Sequence, residues 1–396
     1  MKLAARTQDI PASATIAVTT RAAALKAEGK DVIGFGAGQP DFDTPSHIVE
    51  AAKTALDNGW TRYTPTAGLP QMKEAVVSHV ARDFGLEVSP KQVMVSCGGK
   101  HVLYNALQCM LNPGEEVLLP APYWVSYPVQ CSMAGGKARI VQSRPENGFV
   151  PSLAELEAAC NERTRGIIIN SPSNPTGAGY SEADLEGIAR LVVERDLWVI
   201  SDEIYAKLTY DDYRSRFFAT LPGMAERTLT VYGLSKTYAM TGWRIGIGIG
   251  PEELIGAMSR MQGQVTTNPA TPCQAGAIAA LTESEDFLVD WLVQFDKRRR
   301  YMVEALNAMD GVSCNLPKGA FYAFPDLRGV LGRRIDGRVI DTDWALIDYL
   351  LEDAGIALVP GTPFGAPGFA RLSYATSMSN IEQGLVRMGE ALDRLS

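Results

Sequence analysis

From residue 92 the 396-residue chain alternates short apolar runs with stretches of helical spacing, and this alternation restricts the fold more than any other feature. QVMVS, EVLLPA, GIIIN, LWVIS and TLTVYG have strand length, and GIIIN is apolar throughout, as a strand covered on both faces requires. Between them Leu103, Ala106, Leu107 and Met110 recur at helical spacing, as do Leu185, Ile188, Ala189, Val192 and Val193. Ser152 with Glu155, and Ser181 with Asp184, supply helix starts. The pattern predicts an α/β fold with a mainly parallel sheet wrapped on both faces. Right-handed crossovers then bring the carboxyl ends of the strands to one edge, where open α/β sheets bind ligands. At those ends stand Gly98-Gly99-Lys100, the SPSNPTG segment with Asn174, the Asp202-Glu203-Ile204-Tyr205 run, and Ser235-Lys236.

The flanking regions are less regular. Residues 1–45 read as an irregular arm ending in GFGAGQPDFDTP, followed by helices from His47 to Asn58 and from Pro70 to about Phe84. A long helix from Glu283 to Met309, stopped by Gly311, carries the chain towards a smaller α+β part. That part has strands at AFYAFP, IALVP and ARLSYA, and helices at about Asp341 to Ala354 and Asn380 to Arg394. Gly329 to Asp341 is the most loop-like insertion. The expected division is an N-terminal arm (1–45), a large domain (46–295) and a small domain (296–396).

Several functions find no support. A net charge of -8 argues against bulk nucleic-acid binding, and no run approaches the roughly 18 apolar residues of a membrane helix. The start lacks the apolar core of a secretory signal, so a cytoplasmic protein is expected. The six cysteines are scattered without a C-x-x-C pair, and with three histidines there is no H-E-x-x-H, Walker A or G-x-S-x-G motif, so no metal is expected. Gly246, Gly248 and Gly250 miss the dinucleotide fingerprint at the third glycine.

A lysine just past a strand end can form an imine with an aldehyde, and pyridoxal phosphate (PLP) is the aldehyde cofactor that needs such a lysine together with an acid at its ring nitrogen. Asp202 can supply the acid. Tyr205 and Asn174 can donate to the ring's phenolate oxygen, Trp124 offers a flat surface, and the Gly98 and Gly99 amides with Arg244 suit the phosphate. Arg371 could clamp an α-carboxylate. Each has an ordinary alternative: a surface lysine at 236, a packing role for Trp124 or Tyr205, a helix cap at Asp202, a structural ion pair at Arg371.

The order of SATIAV, GQPDFDTP, YTPTAG, GGK, PYWVSYP, SPSNPTG, SDEIY, SKTYAMTGWRIG and RLSYATS resembles the class I and II aminotransferases of PLP fold type I, and most closely the bacterial aspartate aminotransferase branch. The resemblance runs from about Ser13 to the C-terminus. It implies a large domain with a mainly parallel seven-stranded sheet covered by helices, plus a smaller α+β domain, in a homodimer with shared active sites. It makes Lys236 the Schiff-base lysine and general base, places Asp202 at the ring nitrogen, Asn174 and Tyr205 at the phenolate oxygen, and Trp124 on the ring face. The phosphate falls to Arg244 and the Gly98 and Gly99 amides, with Lys100 and Ser235 nearby and Tyr63 reaching it from the neighbouring subunit. The α-carboxylate falls to Arg371, Asn174, Trp124 and the Gly38 backbone, and a distal carboxylate to Lys100 with Thr15. Aspartate and glutamate with 2-oxo acids are thereby implied, against an aromatic or neutral donor, a PLP lyase or decarboxylase, or a PLP sensor fused to a DNA-binding module. Three positions depart from the pattern: Gly233 stands where many relatives have a hydroxyl that contacts phosphate, and Gln39 where they often have Glu. Pro11 stands where relatives that also accept prephenate tend to carry lysine, which counts against that activity.

Overall fold

The computed structural model describes every residue except Lys2, Ala5, Arg6, Gln8, Asp9 and Ser13; the inferred start of the resemblance at Ser13 therefore lies outside the described residues. Its helices are α1 (Ala14–Ala27), α2 (Ser46–Asp57), α3 (Pro70–Phe84), α4 (Gly99–Met110), α5 (Ser126–Met133), α6 (Leu153–Ala159), α7 (Glu182–Glu194), α8 (Glu252–Val265), α9 (Thr271–Thr282), α10 (Phe287–Asn307), α11 (Asp343–Ala354) and α12 (Met378–Asp393). The longer strands are β1 (Val93–Cys97), β2 (Glu116–Ala121), β3 (Lys137–Gln142), β4 (Thr164–Asn170), β5 (Trp198–Asp202), β6 (Thr228–Gly233), β7 (Ile245–Ile249) and β8 (Ala370–Ser373).

The first seven strands form one sheet in the order β1-β7-β6-β5-β4-β2-β3. All run the same way except β7, which is antiparallel to both of its neighbours. Because the pleat alternates, each apolar strand feeds two cores. Met94, Ile168, Ile200 and Leu229 pack on the face covered by α4, α5 and α8. Leu118, Ile167, Ile169 and Val199 pack on the opposite face under α6 and α7, while Val93, Val95 and Ile247 meet α2, α3 and α9. Ser152 and Ser181 cap α6 and α7 in full capping boxes with Glu155 and Asp184.

A further core joins α10, α11 and α12 to Phe35 and to a three-stranded antiparallel sheet whose central strand is β8, flanked by Val359–Pro360 and Tyr322–Ala323. Among the described residues no helix is long and apolar enough to cross a membrane.

Three expectations need correction. Residues 1–45 are not merely an irregular arm: they contain α1, whose Val18, Ala22 and Leu25 pack on Val32 and Leu351, and a short strand at Ile33–Gly34 paired with Ile356–Ala357. The long helix begins at Phe287, because residues 283–286 form the break between α9 and α10. The insertion at 329–341 holds an antiparallel hairpin, Arg334–Ile335 with Arg338–Val339, turned at Asp336-Gly337 with both residues at positive φ.

The reversed strand matters to the site, because β7 begins at the edge where its neighbours end. Cys97 pairs with Ile245 and Gly233 with Gly246, so Arg244, which precedes β7, stands beside Gly98 and near Lys236. A Cβ on Gly246 would lie 2.2 Å from the Gly98 carbonyl carbon and the Gly99 nitrogen. We expect Gly246→Ala to lower the urea midpoint by an amount equivalent to about 1–3 kcal/mol, since backbone must move to admit the methyl; an unchanged midpoint would contradict that close approach.

Candidate active site

A cavity of about 300 Å³ opens at this edge of the sheet. Strand parity selects its acids. Asn170 and Asp202, the last residues of β4 and β5, continue the alternation of Ile168 and Ile200 and so face α4 and α5. Glu203, one residue further, does not line the cavity; its buried carboxylate accepts from Ser201, Ser215 and the Phe218 amide, and burial pushes its pKa up to about 8.

Asp202 is buried, with Tyr127 of α5 donating to Oδ2 at 2.7 Å and the Ile204 amide to Oδ1 at 3.2 Å. Burial raises its pKa to about 6, against the pull of those two donors and of Lys236. Lys236 donates to the Gly38 carbonyl. Burial, followed by the charges of Arg371 and Arg244, lowers its pKa to about 8.

Arg371 is fully buried in β8. It donates to Asn174 Oδ1 and to the Gly36 carbonyl, both at 2.9 Å, and lies over the Tyr322 ring, 4.5 Å from its centroid. Its Nε has no partner, and among the described residues no carboxylate pairs with it. That removes the structural ion pair as its role and leaves a buried cation suited to an incoming anion. Asn174 is held in turn, its backbone N–H donating to Asn170 Oδ1 at 2.8 Å, while the Asn170 side chain donates to the Asp202 carbonyl at 2.9 Å.

Tyr205 is buried, its hydroxyl 2.9 Å from that of Tyr322. Trp124 meets Tyr127 edge-on, and the Lys100 ammonium lies 4.8 Å from the Trp124 ring centroid. Burial and then the charge of Arg244 lower the Lys100 pKa. Gly98 has φ of +88°, and a Cβ there would sit 2.4 Å from the Arg244 guanidinium; only glycine lets that cation approach the α4 N-terminus. At Gly233, the departure noted in the sequence, a Cβ would lie 2.9 Å from Ile204 Cδ1, the movable end of a side chain, and 3.3 Å from the Ile245 carbonyl oxygen; the structure gives no steric reason that requires glycine there.

Of the residues singled out by sequence, Lys236, Asp202, Tyr205, Asn174, Trp124 and Arg371 line the cavity. So do Thr15, Gly38, Gly99, Lys100, Ser235 and Arg244. Gly98 borders it through Arg244. Tyr63 does not line it: its side chain is 88% exposed. Sequence reasoning missed Tyr127, Asn170 and Tyr322, each acting through a residue it did find. Tyr127 lies three positions after Trp124 within PYWVSYP, and Asn170 ends GIIIN, so the motifs contained them without marking them. Elsewhere, His79, Asp83 and Glu285 bring ligand atoms within 4.8 Å of one another, but the Lys207 ammonium already bonds both carboxylates.

Among the described residues, four cations, Lys100, Lys236, Arg244 and Arg371, thus line the cavity with one carboxylate, Asp202. Such a site favours a ligand carrying several negative charges and, at Asp202, a protonated nitrogen.

The sequence profile described as Aminotransferase class I and II matches residues 30–388. An aspartate aminotransferase of Rhizobium meliloti (strain 1021) is 44% identical over 396 residues, covering 99% of this chain and 97% of that protein. An aspartate/prephenate aminotransferase of Cereibacter sphaeroides is 46% identical over 379 residues, 95% of each. Among solved structures, the Rhizobium meliloti aspartate aminotransferase matches with a TM-score of 0.97 at 43% identity over 100% of both chains. The Thermus thermophilus enzyme with maleate gives 0.93 at 41%, covering 99% of this chain and 100% of that one.

The raised pKa of Asp202 has a consequence for stability. With a folded value near 6 above an ordinary value of 3.8, its contribution is most favourable below about pH 4 and is lost as pH rises through 6. Asp202→Asn, which can keep accepting from Tyr127, should therefore raise the melting temperature of the ligand-free protein at pH 8, by about 1–3 kcal/mol equivalent, and give little gain at pH 4. Thermal melts at both pH values check this; a variant less stable at pH 8 would contradict it.

Proposed function

The chain belongs to the class I and II aminotransferases, which are PLP-dependent, and from that premise we propose that it moves an amino group between aspartate or glutamate and a 2-oxo acid, with Lys236 as the acting amine. The observation that carries the residue assignment is that, among the described residues, Asp202 is the one carboxylate lining a cavity whose four cations, Lys100, Lys236, Arg244 and Arg371, form no ion pair.

The residues fit PLP. A phosphate suits the amides at the α4 N-terminus and the Arg244 guanidinium that Gly98 admits, with Ser235 alongside. Asp202 would hold the proton on the ring nitrogen; its own elevated pKa falls once a cation faces it. Trp124 would cover the ring, with Tyr205 and Asn174 donating to the phenolate oxygen and Tyr322 orienting Tyr205. When bound, PLP supplies an electron-withdrawing ring that acidifies the substrate Cα–H.

This chain's part is then to bind and to move protons. Arg371, with one guanidinium nitrogen unpartnered and its plane fixed by Asn174, Gly36 and Tyr322, would clamp the α-carboxylate, with Asn174 and the Gly38 backbone beside it. The Lys236 amine, with a pKa near 8, is partly neutral at mildly alkaline pH, so Nζ could take the proton from Cα and would deliver it to the cofactor's C4′, the carbon on the other side of the substrate nitrogen. One half-reaction releases a 2-oxo acid and the other consumes a second one.

Lys100, over Trp124, would hold the distal carboxylate with Thr15, which lines the same cavity, and this supports dicarboxylate substrates over aromatic ones. The two relatives named for aspartate point the same way, while Pro11 is the feature that weighs against the prephenate activity in the name of one of them. We also propose a cytoplasmic homodimer in which Tyr63, 88% exposed on this chain, reaches the phosphate of the partner's site. The division into 1–45, 46–295 and 296–396 is retained as a proposal, the long helix α10 spanning its second boundary.

Two measurements test these assignments. Lys236→Ala should lose the near-visible absorbance of the holoenzyme and lower turnover by at least about a thousandfold; retained turnover would refute the assignment. A panel of amino donors against 2-oxoglutarate should rank aspartate first, and Lys100→Ala should cut kcat/KM for aspartate about 10- to 100-fold while sparing phenylalanine. Equal losses on both would defeat the dicarboxylate reading.

A further inference from the structure

We propose that Thr44 is a positioning residue whose single hydroxyl holds the 236–244 segment in the conformation that presents Lys236 and Arg244 to the cofactor. The inference rests on the proposed PLP role of those two side chains. The segment needs holding, because Ala239 and Arg244 both adopt left-handed backbone, with φ of 50° and 57°. Residues with a Cβ seldom occupy that region without outside support.

Thr44 reaches both corners at once. Its hydroxyl donates to the Ala239 carbonyl at 2.8 Å and accepts the Trp243 indole N–H at 3.0 Å, one residue before Arg244. The role needs a group that donates and accepts at one atom, which serine retains and valine lacks.

Thr44 is itself anchored from behind. Arg298 of α10 donates to Asp41 at 2.8 Å. Phe42 stacks on Trp291 with centroids 4.5 Å apart and meets Phe295 edge-on at 5.3 Å. On the cavity side, Gln39 accepts from the Thr241 hydroxyl at 3.2 Å, and Gly38 accepts from Lys236. The 38–44 segment is therefore a strap fastened to α10 at Asp41 and Phe42, and to the lysine-bearing segment at Gly38, Gln39 and Thr44. Among the described residues the strap's other hydrogen bonds to that segment come through one backbone carbonyl and one amide side chain. Thr44 is the residue of the strap that bonds near both left-handed corners, while Arg244 is tied to the Thr241 and Cys97 carbonyls and Tyr238 to Glu285.

The test compares full-length wild type, Thr44→Val and Thr44→Ser, each stripped of cofactor and titrated with PLP, following tryptophan fluorescence for affinity and near-visible absorbance for bond formation at Lys236. Melting temperatures of the cofactor-free proteins run in parallel. Thr44→Val should bind PLP about three- to tenfold more weakly, and Thr44→Ser should restore most of that loss. A purely structural threonine would lower the melting temperature and leave PLP affinity untouched. Wild-type affinity in Thr44→Val, or a serine variant as weak as the valine one, would overturn the proposal. A wild-type protein that binds PLP without developing the near-visible band would instead remove the reading beneath it.

Discussion

A guanidinium held in the protein interior with no carboxylate partner among the described residues is the constraint around which the site is built. Burying Arg371 is costly, and the neighbouring groups offset only part of that cost: an amide oxygen from Asn174, a backbone carbonyl from Gly36 and the face of Tyr322. These come from the loop after β4, the segment after Ile33–Gly34 and the small antiparallel sheet. The Gly36 segment and the small sheet share one core through Phe35 and Tyr322, and the Asn174 loop is tied through Asn170 to the end of β5, so the guanidinium plane is set by elements that are already fixed. The remaining deficit is what an arriving carboxylate would make good.

The second organising fact is the reversal of β7. In a fully parallel sheet only strand ends would reach the cavity, each followed by a loop and a helix. An antiparallel strand begins at that edge, so a short segment joins Lys236 after β6 to Arg244 before β7 without leaving it. The cost of so tight a path shows in two left-handed residues and in the bare backbone contact of Gly246 with Gly98 and Gly99. The amine and the guanidinium thus belong to one connection, and the glycines at 98 and 246 are what allow it to close.

Much of this could be read from the sequence because it depends on local chemistry. Apolar runs such as GIIIN and serines three residues ahead of an acid declare strands and helix starts wherever they occur, and polar residues at strand ends have few other places to be. What escaped depended on partners far along the chain. Tyr127 matters through Asp202, and Tyr322 through Tyr205 and Arg371, contacts that no spacing encodes. Helix α1 did carry a helical stripe, Val18, Ala22 and Leu25, hidden among alanines and β-branched residues of poor helix propensity. The Asp336-Gly337 hairpin was signalled by the residue pair itself and lost among the surrounding charges. Val193 erred the other way: apolar and in phase, it lies about half exposed at the margin of the buried stripe.

The depressed basicity of Lys236 reaches beyond turnover. An exposed lysine, with a pKa of about 10.4, is almost wholly protonated near neutrality, whereas this amine sheds its proton at about 8. At a given pH near neutrality the cofactor-free chain therefore holds a larger unprotonated fraction at this one cavity-lining amine than at an ordinary surface lysine, and the unprotonated form is the one that condenses with an aldehyde.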